Sequence, residues 1–442
     1  MKRKIPQEAL VGSLKDFRRS RGDGSNILSR AHDFFAWQDL RRQHGFWPYA
    51  RASSTAPQAR CEAISDSGQL YSGVNFASQD YLSLASHSKV KEAAMVAIER
   101  YGVHSAGSAA LLGNTEYSLE LSARLSRFLG ARDIVLYPTG WAAGYGAIQG
   151  FVRSEDHVVL DVLAHSCLQA GAAASTQKVH FHRHLDLDAV ARILARIRAT
   201  DTKNGILLVT ESLFSMHSDT PDLRAMRALC DTYGASMLVD CAHDLGCLGD
   251  DGRGHMGKQE ILDEIDIIVG SFSKTFASNG GFTAVNGRSA AEYLKYYSAT
   301  HTFSNALSPA QAAVVLEALA IVQSEEGRQL RRRLYSNILN LRKSMTEHGR
   351  KVLGVPSPIV PVHVGGEALG RLVSRNLSEF GAIANLVEYP AVPRNESRFR
   401  FQVMASHTSD DIQDVVEAFG SALQAAHMTV EEGELDGSGT QR

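Results

Sequence analysis

Between Ile134 and Ser271, short apolar runs alternate with stretches patterned as helices, and this alternation limits the fold more than any other feature. The strand-like runs are 134–137, 157–161, 179–182, 206–210, 236–240 and 267–271. Stretches 140–151, 185–197 and 223–233 between them read as helices, as does 89–101 before them. Leu121, Leu125, Phe128 and Leu129 fall on one helix face. Apolar strands separated by helices must be covered on both faces, which predicts an α/β domain with a mostly parallel central sheet. Ligands of such sheets bind beyond the carboxyl ends of the strands, so the residues just after each strand are the place to look for chemistry.

A second region follows, with long helical patterns at 308–323 and 327–348, strands at 359–364, 383–389 and 399–404, and a helix at 368–380. Its last helix opens at Thr408 with Asp411 three residues on, a capping-box pattern, and buries Ile412, Val415, Val416 and Phe419. This is a smaller α+β C-terminal domain with antiparallel strands. The expected division is an N-terminal arm over 1–75, a large α/β domain over 76–300, the α+β domain over 301–430 and a disordered acidic tail over 431–442. The arm is arginine-rich, and one helix should pack Phe34, Phe35, Trp37, Phe46, Trp47 and Tyr49 on a neighbour.

Composition removes several function classes. Basic and acidic side chains number 46 and 48, so there is no basic excess for nucleic acid. No apolar run approaches the roughly 18 residues of a membrane span. The five cysteines are odd in number and form no CxxC pair, which suits reduced thiols in a cytoplasmic protein. Lys2, Arg3 and Lys4 are not followed by the apolar core of a secretory signal. His180, His182 and His184 alternate, which predicts exposed histidines on one strand face rather than a metal site, and Arg328–Arg333 reads as a solvated helix face.

Four strand ends carry candidate chemistry. In 266–282 the apolar run Ile267–Val269 gives way to Ser271, Phe272, Ser273 and Lys274, then to Gly280 and Gly281. Desolvation at the mouth of a buried strand favours a neutral lysine amine, which can form a Schiff base; on this segment alone an ordinary loop lysine is the alternative. After the strand 134–137 come Thr139, Gly140 and Trp141, where a glycine at a helix start lets backbone N–H groups approach a phosphate. Gly140, Gly144 and Gly146 do not match the dinucleotide fingerprint, which disfavours a nicotinamide site. His165, after 157–161, could stack on a flat cofactor or be a structural histidine. Asp240 ends the strand 236–240, with His243 three residues on. A carboxylate there needs a cationic partner, and a protonated pyridine nitrogen is one.

Phosphate cradle, stacking ring, strand-tip carboxylate and Schiff-base lysine, in that order, are the parts of a pyridoxal-phosphate enzyme. The chain resembles the α-oxoamine synthases, the group of serine palmitoyltransferase, 2-amino-3-ketobutyrate CoA ligase, 8-amino-7-oxononanoate synthase and 5-aminolevulinate synthase. The resemblance covers roughly 76–419 and rests on NFASQDYLSL (75–84), TGWAA (139–143), AHSCLQAG (164–171), ESLFSMH (211–217), VDCAHDLGCLGDDGRG (239–254), the lysine segment, TFSNALSP (302–309) and SRFRFQVMASHT (397–408). It implies the type I fold of pyridoxal-phosphate transferases. It also implies that Lys274 carries the cofactor and later moves a proton, that His165 stacks on the ring, and that Asp240 and His243 meet the ring nitrogen and the 3′-oxygen. Thr139, Gly140, Trp141, Ser271 and Ser273 would surround the phosphate, with Ser215 near the ring. Ser304 would reach the phosphate of a second copy in a homodimer, and Arg400 would hold the amino-acid carboxylate. Gln79 stands where the family usually has asparagine, at a position that often touches substrate. Leu111 and Leu112 make the segment 105–113 more apolar than the usual glycine- and arginine-bearing loop.

The implied reaction is a decarboxylative condensation of a small amino acid (serine, glycine or alanine) with an acyl-CoA or an acyl-carrier protein, giving a 2-aminoketone, CO2 and a free thiol. Two alternatives stand beside it. One is another enzyme of the same fold type, an aminotransferase or lyase. The other is a partner subunit of a serine-palmitoyltransferase-like complex, against which the presence of Lys274 speaks.

Overall fold

The computed structural model describes residues 5–18, 26–431 and 435–436, so the basic residues 2–4 and most of the 431–442 tail lie outside it. The described tail residues Leu435–Asp436 pair in parallel with Ile5–Pro6. Chain contacts divide the protein into two units, Gln79–Tyr335 and a second formed by Met1–Ser78 with Ser336–Arg442. The helix Glu325–Glu347 belongs to both.

The larger unit holds a seven-stranded sheet. Across it run Asp133–Tyr137, Gly281–Val285, Ile267–Ser271, Ser236–Asp240, Ile206–Glu211, His157–Asp161 and Val179–His182. All pairings are parallel except those of Gly281–Val285, which is antiparallel to both neighbours. That strand was not expected from the sequence. It returns from Ile267–Ser271 after a short loop, so the lysine segment is the loop of a hairpin inside the sheet. The strands His157–Asp161, Ile206–Glu211 and Ile267–Ser271 are buried along their whole length, as sheet strands covered on both faces must be. Helices Gly140–Phe151 and Ser166–Ser175 cover one face and approach closely. A Cβ on Gly144 would come within 2.6 Å of Cys167 Sγ, so only glycine permits this contact.

Two surface expectations fail in this unit. His182 is buried and donates from Nδ1 to the Arg183 carbonyl at 2.9 Å. His180 stacks on His157, and His184 lies between two carboxylates. His157 packs on His180, and Asp161 and Asp219 hold His184, so the His180 and His184 rings are only partly exposed. In the arginine run, Arg331 turns inward and donates to the carbonyls of Val322 and Asp250.

Besides the pair Ile5–Pro6 and Leu435–Asp436, the smaller unit carries two larger sheets among the described residues. In one, Arg60–Ile64 and Leu70–Asn75 form a hairpin, and the latter strand pairs in parallel with Ala382–Ile383. In the other, Ile359–Gly365, Ser397–Gln402 and Asn385–Val387 are antiparallel. The strands before residue 76 therefore share a sheet with the C-terminal region. The helix Ser409–Glu431 is capped as its sequence predicts, with the Asp411 N–H donating to Thr408 Oγ1 and the Thr408 N–H donating to Asp411 Oδ2. In the arm, helix Arg30–Gln43 presents Phe34 and Trp37 to Phe17 and Trp47, while Phe35 faces outward. Arg41 is fully buried over the rings of Trp37 and Trp47. Among the described residues, no helix is long and apolar enough to cross a membrane.

Candidate active site

In the larger unit, the carboxyl ends of five parallel strands open onto one cavity of about 310 Å³. Thr139, Gly140 and Trp141 line it from the first strand end, His165 and Cys167 from the next, and Glu211 from the third. Asp240 and His243, then Ser271, Ser273 and Lys274, complete it. The topology explains the convergence. Parallel strands put all their carboxyl ends on one edge, and each loop there begins with the residue that ends the strand.

The cradle is built from a helix end and two hydroxyls. Thr139 caps helix Gly140–Phe151, its side chain accepting from the Ala142 N–H at 3.0 Å. The first N–H groups of that helix are left for an anion. A Cβ on Gly140 would sit 2.4 Å from Ser271 Cβ, so the bare backbone is what lets the helix start lie against Ser271. The hydroxyls of Ser271 and Ser273 are 2.7 Å apart. Lys274 follows in a loop closed by the Phe272 N–H donating to the Gly280 carbonyl at 3.0 Å and by the Ser278 N–H donating to the Phe272 carbonyl. Phe272 and Phe276 are buried and anchor that loop to the sheet.

The remaining strand ends carry the imidazoles and carboxylates. His165 caps helix Ser166–Ser175, and its Nδ1 accepts from the Cys167 N–H at 3.3 Å. An N–H can only donate, so Nδ1 is the acceptor in this contact. The Cys167 thiol lies 3.0 Å from the same nitrogen, and burial pushes it far up, so it stays a thiol. Asp240 Oδ1 accepts from the Ala242 N–H at 2.9 Å, which turns the chain toward His243. The Tyr81 hydroxyl lies 2.9 Å from His243 Nδ1. Behind them, Asp244 accepts from Ser212 Oγ and the His255 N–H at 2.7 Å each, and burial raises its carboxyl to about 6.

Of the expected site residues, the cavity gathers Thr139, Gly140, Trp141, His165, Asp240, His243, Ser271, Ser273 and Lys274. Ser215, Ser304 and Gln79, all in the same unit, do not line it. Arg400 lies in the smaller unit, buried on strand Ser397–Gln402, where the Gln402 carboxamide oxygen accepts from its Nε and an Nη at 2.8 Å. Two residues were missed. Glu211 ends a parallel strand, the position already known to matter, and should have been read with the other strand ends. Tyr81 carries no local signal, because its partner is 162 residues away.

A family model described as aminotransferase class I and II matches residues 71–419. The serine palmitoyltransferase of Sphingobacterium spiritivorum is 34% identical over 353 residues, covering 80% of this chain and 87% of that protein. The 2-amino-3-ketobutyrate coenzyme A ligase of Escherichia coli K12 is 30% identical over 382 residues, covering 86% and 94%. A solved SPT structure with a PLP internal aldimine superposes with a TM-score of 0.85 at 25% identity, covering 91% of this chain and 100% of that one. The chain belongs to the aminotransferase class I and II family, enzymes of fold type I that depend on pyridoxal 5′-phosphate. Within that family it is an α-oxoamine synthase.

Proposed function

We propose that this enzyme condenses a small amino acid (serine, glycine or alanine) with an acyl thioester, CoA- or carrier-protein-bound, releasing CO2 and free thiol and leaving a 2-aminoketone. One observation carries the reading: Lys274, Asp240, two imidazoles and a hydroxyl-lined helix N-terminus share a single cavity. These groups fit the cofactor's functional groups. The close approach of Gly140 to Ser271 leaves room for no side chain between helix start and hydroxyls, which suits a phosphate. A carboxylate suits a pyridinium, and an amine suits an aldehyde.

When bound, the cofactor supplies a sink for the negative charge that develops on the amino acid's Cα. The roles of the chain's own residues follow. The N–H groups of Gly140 and Trp141, with Thr139, Ser271 and Ser273, would hold the phosphate. Asp240 would keep the proton on the ring nitrogen. His165 would lie against the ring face and His243 would bond the ring oxygen, and by resemblance Ser215 would come near the ring. The Lys274 amine takes the Cα proton. The carbon so freed attacks the thioester carbonyl, and the thiolate leaves and takes a proton from solvent. CO2 then departs, and the carbon left behind takes back the proton held by Lys274. By resemblance Arg400 holds the substrate carboxylate, since a guanidinium fork suits that group, and Gln79 touches substrate.

A homodimer belongs to this reading, with Ser304 serving the second copy. Exposed apolar residues support it. Leu111, Leu112 and Phe303 are 85%, 88% and 86% exposed, and Ser108 Oγ ties their two segments together by donating to the Thr302 carbonyl at 2.7 Å. Such a patch on a lone chain calls for a cover. The deciding experiment mixes the holoenzyme with each amino acid and a series of acyl-CoAs. CO2 and thiol should be released together, and amino-group transfer without thiol release would overturn the proposal.

A further inference from the structure

We propose that Glu211 is an uncharged carboxylic acid that positions His165 and leaves Asp240 as the one carboxylate facing the cofactor's ring nitrogen. The inference deepens the function proposed above and rests on the roles given there to His165 and Asp240. Glu211 ends the strand Ile206–Glu211, is only 3% exposed, and lines the cavity. One of its oxygens accepts from the His165 backbone N–H at 2.6 Å. That bond joins the strand end to the loop that carries the imidazole, at the residue whose ring must lie flat against the cofactor.

Its second relationship is with Asp240. The two residues are Cα partners across a parallel strand pair, so their side chains leave the same face of the sheet side by side. Two carboxylates sharing one buried site cannot both ionise cheaply. Asp240 turns one oxygen to the Ala242 N–H and is half-buried. Glu211 is more fully buried than Asp240 and accepts from one backbone N–H, that of His165. Two or three converging backbone N–H groups hold a carboxylate firmly in its charged form, and one does so less. Asp161, a further carboxylate near Glu211, is already engaged by His184 at 3.0 Å. Lys274 pulls Glu211 toward ionisation, but burial first and the Asp240 charge second push its carboxyl well above the ordinary range. The Cys167 thiol beside it remains protonated and adds no charge.

The test uses holoenzyme carrying Glu211→Gln, Glu211→Leu or Asp240→Asn, each reconstituted with pyridoxal phosphate. The readouts are the pH midpoint of the cofactor's visible band, its induced circular dichroism and its dissociation constant. Glutamine is neutral and keeps an oxygen for the His165 N–H. Glu211→Gln should therefore leave the midpoint within about half a unit of wild type and preserve the dichroism. Glu211→Leu strands that N–H, and should weaken cofactor binding about tenfold and reduce the dichroism. A midpoint moved by more than about one unit in Glu211→Gln would overturn the inference, because it would mean that a charge had been removed. Unchanged binding and dichroism in Glu211→Leu would overturn it too. Asp240→Asn separates the two levels of the argument. If it shifts the midpoint and Glu211→Gln does so as well, only the inference falls. If it leaves the midpoint unmoved, the ring-nitrogen assignment falls and takes the inference with it.

Discussion

The hydroxyl of Tyr81 sits 2.9 Å from Nδ1 of His243, and both side chains are buried. The bond engages one ring nitrogen of a residue that lines the cavity, so the tyrosine sets how the imidazole is presented. Tyr81→Phe removes the partner without changing shape. Losing a buried hydrogen bond of about 1–2 kcal/mol should lower kcat/KM roughly five- to thirtyfold. The cofactor should stay bound. Steady-state kinetics beside a thermal melt checks this, and unchanged kinetics would remove Tyr81 from the site.

Lys274→Ala should fold normally, because the loop is held by Phe272, Phe276 and backbone bonds rather than by the amine. Turnover should fall by at least about a hundredfold, the lower end of what a positioned proton-transfer group contributes. Thiol release measured against a thermal melt separates the two effects. Turnover near wild type would end the proposed chemistry.

His184 bonds Asp161 through Nδ1 at 3.0 Å and Asp219 through Nε2 at 2.9 Å. Burial alone would lower its pKa, but the two carboxylates outweigh burial and raise it to about 9. A folded-state value above the unfolded one of about 6.5 stabilises fully below that pH, and the contribution is lost as pH rises through 9. The clamp joins the loop after His157–Asp161 to the one after Ile206–Glu211. His184→Gln should thus be destabilised relative to wild type at pH 6 by at most about 3 kcal/mol, with the gap closing toward pH 10. Melting temperatures of both proteins across that range provide the check, and a gap that does not narrow counts against it.

Glu388 is the shared anion of a buried network in the smaller unit. It accepts from Arg371 Nε at 2.8 Å and from the Tyr49 hydroxyl at 3.3 Å, and it lies 3.6 Å from Arg41. Arg371 also donates to the Leu10 and Gly12 carbonyls. Replacing Glu388 with Ala leaves two buried guanidiniums without a counter-charge, which should cost about 3–5 kcal/mol. Denaturant unfolding would show it, and limited proteolysis should cut the arm before residue 50 sooner than in wild type.

Phe303→Asp puts a charge into the exposed apolar patch with Leu111 and Leu112. If a second copy covers that patch, the variant should sediment at half the mass of wild type. Equal mass for both would mean the patch is not the dimer contact.

Much of the candidate site's lining was legible because it is local. Thr139, Asp240 and Ser271 each follow an apolar run directly, and a strand end can be located from periodicity alone. The cap of the last helix, Thr408 with Asp411, was readable for the same reason. The strand Gly281–Val285 was not, because Gly–Phe–Thr–Ala–Val is short and follows a glycine-rich turn, so nothing local separates it from loop. His182 and Arg331 were misplaced because alternation and charge report which residues share a face, not what later covers that face.

The sequence alone determined the alternation of strands and helices, and with it an edge where lysine, carboxylate, imidazole and hydroxyl groups would gather. Those features depend on neighbours a few residues apart, which side-chain periodicity encodes. Tertiary structure alone decided that Glu211 stands beside Asp240, that Tyr81 meets His243, and that His184 is gripped by two carboxylates. Each of these depends on strand order and register, and they are set by packing between segments far apart in the chain, where no local pattern reaches.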